Sequence, residues 1–354
     1  MNESIDLLML ALLPGVAPRA ARDLLARGPL GDSLARPDEH GDLLPGPARA
    51  LLRGGEARRR AEAEGRRARG LGIRVLALGE ADYPERLREV YAPPPVLYVR
   101  GRLVPDEGGR SVAVVGARAA SAPGRALART LSHDLAAAGA TIVSGLARGI
   151  DTEAHRGALA AGGRTVAVLG SGLDRVYPPE NEELAAGVGR DGALVSEFAL
   201  GTPPRPENFP RRNRVIAGWC RAVVVVEAGE KSGALSTARA ALDEGRDVMA
   251  VPGHPTQPLA AGTNALLRDG ATLVRSAADV AQEIGLVMPV TEGRARIADD
   301  VLEAMRPDTP LSLEELQTRC GRSLPDLLAR LAVLEMDARV RRLPGPLFVR
   351  ELSA

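Results

Sequence analysis

The sequence predicts an α/β fold: an extended, doubly wound, mostly parallel sheet, preceded by a small helical unit and followed by a unit of three helices and a hairpin. Three observations carry that prediction. Short, continuous apolar runs recur after about residue 110, at "SVAVVG", "ATIVSG", "TVAVLG", "ALVSE", "AVVVVEA" and "DVMAVPG". Segments of helical composition separate them, among them "GRALARTLSHDLAAAG", "DTEAHRGALAAGG" and "SGALSTARAALDEG". Buried strands alternating with helices give a parallel sheet covered on both faces. Finally, most of the runs end in glycine or a small polar residue, which suits loops at the carboxyl ends of parallel strands, where ligands and helix N-termini meet.

Taken in chain order, "LLMLALLPGVAPRAARDLLARGPL" reads as a helix, a turn at Pro14-Gly15 and a second amphipathic helix, either a helix-hairpin-helix or a plain helical hairpin. Between Arg53 and Arg69 arginines mix with Glu56, Glu62 and Glu64 at helical spacing, the pattern of a solvated helix face. "LGIRVLALGEADYPERLREVYAPPPVLYVRG" supplies lead-in strands, with Pro93 to Pro95 forcing an extended stretch. After about residue 290, "ARIADDVLEAM", "LSLEELQTRCG" and "SLPDLLARLAVLEMDARVRRL" read as three helices, and "ARVRRLPGPLFVR" as a hairpin turned at Pro344-Gly345. Together they describe a winged helix. Its candidate recognition helix, Ser323 to Glu335, carries Arg330 as its single base, so a protein-contact role is as well supported as duplex binding. The domain boundaries read this way are 1–68, 69–288 and 295–354.

Composition narrows the function less than it narrows the fold. The chain has 354 residues, 45% of them apolar and only 2% aromatic, so base-stacking side chains must be sparse. A formal net charge of +1 conceals a skew: Lys231 is the one lysine and every other cationic side chain is arginine. Arginine suits bidentate phosphate contact, but a codon bias toward arginine explains the skew equally well. Cys220 and Cys320 lie far apart in different units, which gives neither a disulfide framework nor a metal spacing and fits a reducing cytosol. The apolar run Leu7 to Leu13 is short and follows Glu3 and Asp6, so neither a signal peptide nor a membrane anchor is expected. The expected location is the cytoplasm, with no membrane partner, cofactor or metal.

Four motifs carry the candidate chemistry. The first strand of the sheet runs into "GARAASAPG", which opens with Gly116 but lacks the tight glycine spacing, and the acid after the next strand, of a dinucleotide fingerprint. What remains is a turn of amides, with Arg118 and Ser121 placed to hold a phosphate. The next strand delivers "SGLARGIDTEAH": Ser144, Gly145 and Gly149 allow close backbone approach to a ligand, and Arg148 sits at the tip. Asp151 reads as a helix cap, and its spacing from His155 leaves acid-base chemistry as a lesser alternative. "NFPRRNRVIAG" follows Phe209 with Arg211, Arg212 and Arg214; they either bind phosphates beside a stacked base, or pack the core and pair with acids such as Glu197 and Glu227. "EAGEKSGALSTARAAL" puts Gly233, Ser236 and Thr237 at a helix N-terminus, an anion-binding arrangement.

In order, GAR, SGLARGIDTEAH, GGRTVAVLGSGLDRVYPPEN, SEFALG, FPRRNRVIAG, VVEAGEKSGALSTARAAL and VPGHP…GTNALLRDGA resemble the DprA/Smf family of DNA-processing proteins, over about residues 80 to 285. The flanking units are similar to that family's SAM-like and DML1-like appendages. The resemblance implies an extended Rossmann-like domain that forms a homodimer, binds single-stranded DNA without nucleotide and loads the recombinase RecA onto it in natural transformation. It also implies that Arg118 and Arg148 stand for the basic side chains of the family's GSR and LA(K/R)G motifs, Ala117 replacing the serine. The chain is accordingly expected not to be an enzyme. One rival is a phosphoribohydrolase of the same fold, whose PGGxGTxxE turn ends in a catalytic glutamate; here Ala240 stands in its place. Another is a duplex-binding regulator acting through the wing, where Arg339, Arg341 and Arg342 lie.

Overall fold

The structure, a computed structural model, describes residues 3–104, 107–288, 300–306, 309–336 and 339–350. It divides into two units, Met1–Pro289 and Val290–Ala354. The first begins with helices α1 (Glu3–Leu12), α2 (Ala20–Arg27), α3 (Leu30–Ala35), α4 (Gly46–Arg53) and α5 (Glu56–Gly70). On α5 the alternating charges pair along the surface, Arg58 with Glu62, and Arg59 and Arg60 with Glu56. Strand β1 (Arg74–Ala77), helix α6 (Glu85–Arg88) and strand β2 (Val96–Gly101) come from the predicted lead-in segment.

The alternating core follows: β3 (Ser111–Val115), α7 (Ala122–Ala137), β4 (Thr141–Ser144), α8 (Ile150–Ala160), β5 (Thr165–Val168), α9 (Glu182–Asp191), β6 (Ala193–Ser196), α10 (Asn208–Trp219), β7 (Ala222–Val225), α11 (Gly233–Asp243), β8 (Asp247–Ala250), α12 (Ala261–Arg268), β9 (Thr272–Leu273) and α13 (Ala277–Ile284). All six strands read from the apolar runs are present, and β9 is a two-residue addition that no run announced. Among the described residues nine strands form one sheet in the order β1-β2-β6-β5-β4-β3-β7-β8-β9. From β3 to β9 every neighbouring pair up to β6 on one side is parallel, whereas β2 joins β6, and β1 joins β2, antiparallel.

Strand pleating assigns alternate residues to opposite faces. Val112 and Val114 of β3 face a core formed with Leu131 and Leu135 of α7, Ala154 of α8 and Val280 of α13. Ala113 and Val115 face the other core, with Val215 and Trp219 of α10 and Ala238 of α11. Leu7, Leu24 and Ala61 of the N-terminal helices belong to that second core as well. Both faces of the central strands are therefore dry, which is why the runs are continuously apolar. The chain winds outward from β3 through β4, β5 and β6, then returns to lay β7 on the other side of β3. That reversal opens a crevice at the carboxyl ends of β3 and β7.

The second unit contains α14 (Asp300–Ala304), β10 (Leu311–Ser312), α15 (Leu313–Cys320), α16 (Leu324–Met336), β11 (Val340–Leu343) and β12 (Leu347–Arg350). Its sheet order is β10-β12-β11, and with the three helices it makes a winged helix. A reciprocal cap, Ser312 with Glu315, starts α15. Residues 295–299 of the segment predicted for the first helix lie outside the described residues. The candidate recognition helix, α16, turns Leu324, Leu328 and Val333 to solvent rather than a row of bases.

Candidate nucleic-acid interface

The crevice between the ends of β3 and β7 is a cleft of about 750 Å³, lined among others by Arg118, Phe209, Arg212, Asn213, Lys231 and Ser236. A smaller recess shares Arg118, Phe209 and Arg212 and adds Arg148 and Tyr177. Phe209, at the start of α10, thus stands between the two hollows. The Arg118 guanidinium lies 4.8 Å from its ring centroid and the Tyr177 ring 6.1 Å away. Cationic and aromatic faces within these distances attract each other.

The two exposed tip arginines differ in their surroundings. Arg118 follows β3 and meets no carboxylate among the described residues. Arg148 follows β4 and is gripped by Glu180, with a second contact of 3.1 Å between Nη2 and Oε2. That bond raises the Arg148 pKa, lowers that of Glu180, and leaves the pair half open to water. Arg148 also lies 5.9 Å from the Tyr177 ring.

The loop that bears Arg148 is held from beneath. Leu146 adopts φ 58°, a left-handed conformation that branched side chains rarely take. Asp151, the second residue of α8, accepts from the amides of Gly145 at 3.1 Å and Ala147 at 3.4 Å. Asn181 donates to the Leu146 carbonyl at 2.9 Å. Asp151 is therefore not the helix cap expected from the sequence: Gly149 holds the N-cap position of α8, and the Asp151 carboxylate serves the loop before it. Burial raises its pKa, while the nearby Arg212 guanidinium and the two amides draw it back down.

Several predicted contacts are corrected by burial. Ser144 has no exposed surface and donates its hydroxyl to the Val114 carbonyl at 2.7 Å. Gly145 makes room for the protein itself, since a Cβ there would lie 2.0 Å from Nη1 of Arg212. Gly149, at φ 74°, lets α8 approach the turn after β3, where a Cβ would meet the Ala117 carbonyl at 2.3 Å. At Gly116 the crowding atoms are Ile150 and the Glu227 carbonyl. Arg212 is 5% exposed and donates to the carbonyls of Gly145 and Val168, the latter at 2.7 Å. Burial lowers its pKa to about 10, opposed by the Asp151 carboxylate. Arg214 bonds the Ala92 carbonyl and Glu197, and Arg211 lies 3.8 Å from the same Glu197, above the Phe198 ring. Thr237 is buried, whereas Gly233 and Ser236 stay exposed at the start of α11, with Ser236 accepting from Asn213 at 2.7 Å. Ser121 caps α7, its amide and hydroxyl both directed at Glu227.

His155 does not join Asp151. Thr165 donates its hydroxyl proton to the Ile142 carbonyl and so accepts from His155 Nδ1 at 2.7 Å, which leaves Nε2 buried without a partner among the described residues. Burial, together with Arg212, lowers its pKa to about 3. Asn213, Lys231 and Tyr177 are cleft residues that the sequence reading does not assign to the site. Lys231 carried a signal as the one lysine among arginines, and Tyr177 as one of four tyrosines in an aromatic-poor chain. Among the described residues no cluster of three His, Cys, Asp or Glu could hold a metal, and no helix is long and apolar enough to cross a membrane.

The comparisons with known proteins agree with this architecture. A family model described as DNA recombination-mediator protein A matches residues 74–285, and one described as DprA winged helix domain matches residues 288–346. Protein Smf of Escherichia coli is 37% identical over 285 residues, 74% of each chain. Protein Smf of a Synechocystis species is 43% identical over 222 residues, 62% of this chain; the match spans little more than half, 56%, of that relative's length. The X-ray structure of DNA processing protein A from Streptococcus pneumoniae superposes with a TM-score of 0.68 at 35% identity, covering 80% of this chain and 98% of that one. DNA processing protein A from Helicobacter pylori, described by its single-stranded DNA binding mode, gives 0.54 at 27% identity, covering 60% of this chain and 95% of that one.

Proposed function

From the premise that this chain belongs to the DNA recombination-mediator protein A family, also called DprA or Smf, we propose that it binds single-stranded DNA without sequence preference along the carboxyl edge of its sheet and loads RecA onto the strand. The observation that carries the binding half is the group formed by Arg118 and Phe209 at the mouth of the cleft: a guanidinium with no acidic partner among the described residues, 4.8 Å from a half-buried ring. A phosphate takes the cation and an unstacked base takes the ring, a combination that tolerates any sequence because every base has a π face. Arg148, Gly233, Ser236 and Lys231 extend the same edge. The Helicobacter pylori relative, described by its single-stranded DNA binding mode, supports this reading.

The chain acts here by binding rather than by chemistry. Among the described residues Asp151 is the single carboxylate lining the main cleft, and one of its oxygens, Oδ2, already serves two backbone amides. The phosphoribohydrolase's glutamate is replaced by Ala240 in α11. Homodimerisation through the sheet unit belongs to the same reading, with the exposed Leu242 and Leu273 as apolar surface on that unit. Two sites on one strand would then raise avidity through effective concentration. Recombinase loading rests on the family alone.

Fluorescence anisotropy with a labelled single strand and its matched duplex, at low and high salt, tests the binding half. The expected result is tighter, salt-sensitive binding of the single strand. Preference for duplex would move the function to the wing, and binding of neither would reopen the nucleotide-enzyme alternative. For the second half, RecA filament assembly on strands precoated with a single-strand-binding protein should accelerate when this chain is added.

A further inference from the structure

Doubly wound folds commonly seat a ligand phosphate at the N-terminus of the helix that follows the first central strand. In this chain that place, the start of α7, is filled from within. Glu227, just beyond β7, reaches across the switch point and accepts from the Ser121 amide at 2.9 Å and from the Ser121 hydroxyl. The Ser121 oxygen in turn accepts from the Gly124 amide at 3.0 Å. A Cβ on Gly124 would lie 2.2 Å from the Glu227 carboxyl carbon, so the glycine leaves the space the carboxylate uses. The backbone of the same residue holds the other end of the turn, where the Ala117 amide donates to the Glu227 carbonyl at 2.7 Å. Between these two anchors lie Arg118, Ala119 and Ala120.

We propose that Glu227 is a built-in anion with two consequences: it plugs the phosphate seat of α7 against free nucleotides, and it positions the turn that presents Arg118 to a strand. The plug stands on the geometry alone, and the positioning role rests on the strand-binding reading above. A negative carboxylate satisfies the helix N-terminus as a phosphate would and repels a second anion from it. Because one residue ties both ends of the turn, Arg118 keeps its place over Phe209 without any ligand. The cleft would then select a polynucleotide lying along its outer edge over a mononucleotide entering end-on.

Three variants test this, Glu227→Ala, Glu227→Gln and Gly124→Ala, each checked by circular dichroism. The plug is read with inorganic phosphate by titration calorimetry. Glu227→Ala should gain a phosphate site beyond any the native chain has, and Glu227→Gln, which refills the seat, should not. For the positioning role, Glu227→Ala should bind a labelled single strand about tenfold more weakly, a difference of about 1.4 kcal/mol. Glu227→Gln should recover most of that loss. Sodium acetate should also restore Glu227→Ala, while sodium chloride of equal ionic strength should not. Gly124→Ala, whose methyl occupies the seat, should lose strand affinity beyond rescue by acetate, and it carries the test if Glu227→Ala does not fold. A folded Glu227→Ala that takes up no more phosphate than the native chain overturns the plug. Undiminished strand affinity in Glu227→Ala and Gly124→Ala overturns the positioning role. Failure of the native chain to bind any strand would remove the strand-binding reading while leaving the phosphate result to judge the plug.

Discussion

The loops after β3 and β4 carry one arginine each, Arg118 and Arg148, and the start of α10 carries three, Arg211, Arg212 and Arg214. In the sequence the α10 cluster is the more conspicuous basic feature. In the structure it is largely spent on the protein: Arg212 is buried against two strand-end carbonyls, and Arg214 is held by Ala92 and Glu197. The sparser loops keep both their cations at the surface. Parallel strands end in carbonyls that need donors, and a helix crossing those ends supplies them with its inward side chains. Charge density along a sequence therefore says little about surface potential. Distance from the strand ends and the nearest acid decide it.

The sharpest way to break this contrast is at its buried member. Arg212→Met should destabilise the fold by about 3–5 kcal/mol, because it strands two carbonyls and the Asp151 carboxylate. Urea denaturation measures this, and Arg212→Lys should restore only part of the loss, since one ammonium cannot reproduce the planar fork. The opposite behaviour is expected of the loops. Arg118→Ala with Arg148→Ala should leave circular dichroism and urea midpoint unchanged while weakening single-strand binding by about a hundredfold, roughly 2.7 kcal/mol. Equal loss of stability in the two experiments would erase the distinction between the regions.

Buried His155 gives a pH-dependent counterpart. Its pKa falls from 6.5 to about 3 on folding, so between those values the unfolded chain binds a proton that the folded chain does not. Stability from this group is complete above pH 6.5 and declines as pH falls toward 3, by about 2 kcal/mol at pH 5. His155→Asn, which keeps a donor toward Thr165, should flatten that slope in urea titrations across this range. The smallest effect is expected at Glu180. Glu180→Gln releases Arg148 and should tighten strand binding about two- to threefold at low salt, an advantage that fades at high salt.

The α/β core was legible because burial on both faces forces continuous apolar strands, and the tip glycines mark where those strands stop. The two-residue β9 escaped because so short a strand has no periodicity of its own. Of the candidate site residues, Arg118 and Arg148 are exposed and Phe209 half-buried, as strand-end position and local motif lead one to expect. The sequence assigns Ser144, Gly145 and Gly149 to a ligand and leaves Arg212 between ligand and protein, because it does not distinguish close approach to a ligand from close approach to another part of the chain. Gly145 and Arg212 are far apart in sequence, and only the tertiary fold shows that the space left by one is filled by the other. Glu227, read from sequence only as a possible ion-pair partner, owes its place to the return of β7 beside β3.

The most direct test of the account is the salt dependence of single-strand affinity for the native chain and Arg118→Ala. If Arg118 neutralises a phosphate at the sheet edge, the variant should bind more weakly, and the slope of log affinity against log salt should shrink by about 0.7. An unchanged slope and affinity in a folded Arg118→Ala protein would contradict it and place the strand elsewhere on the molecule.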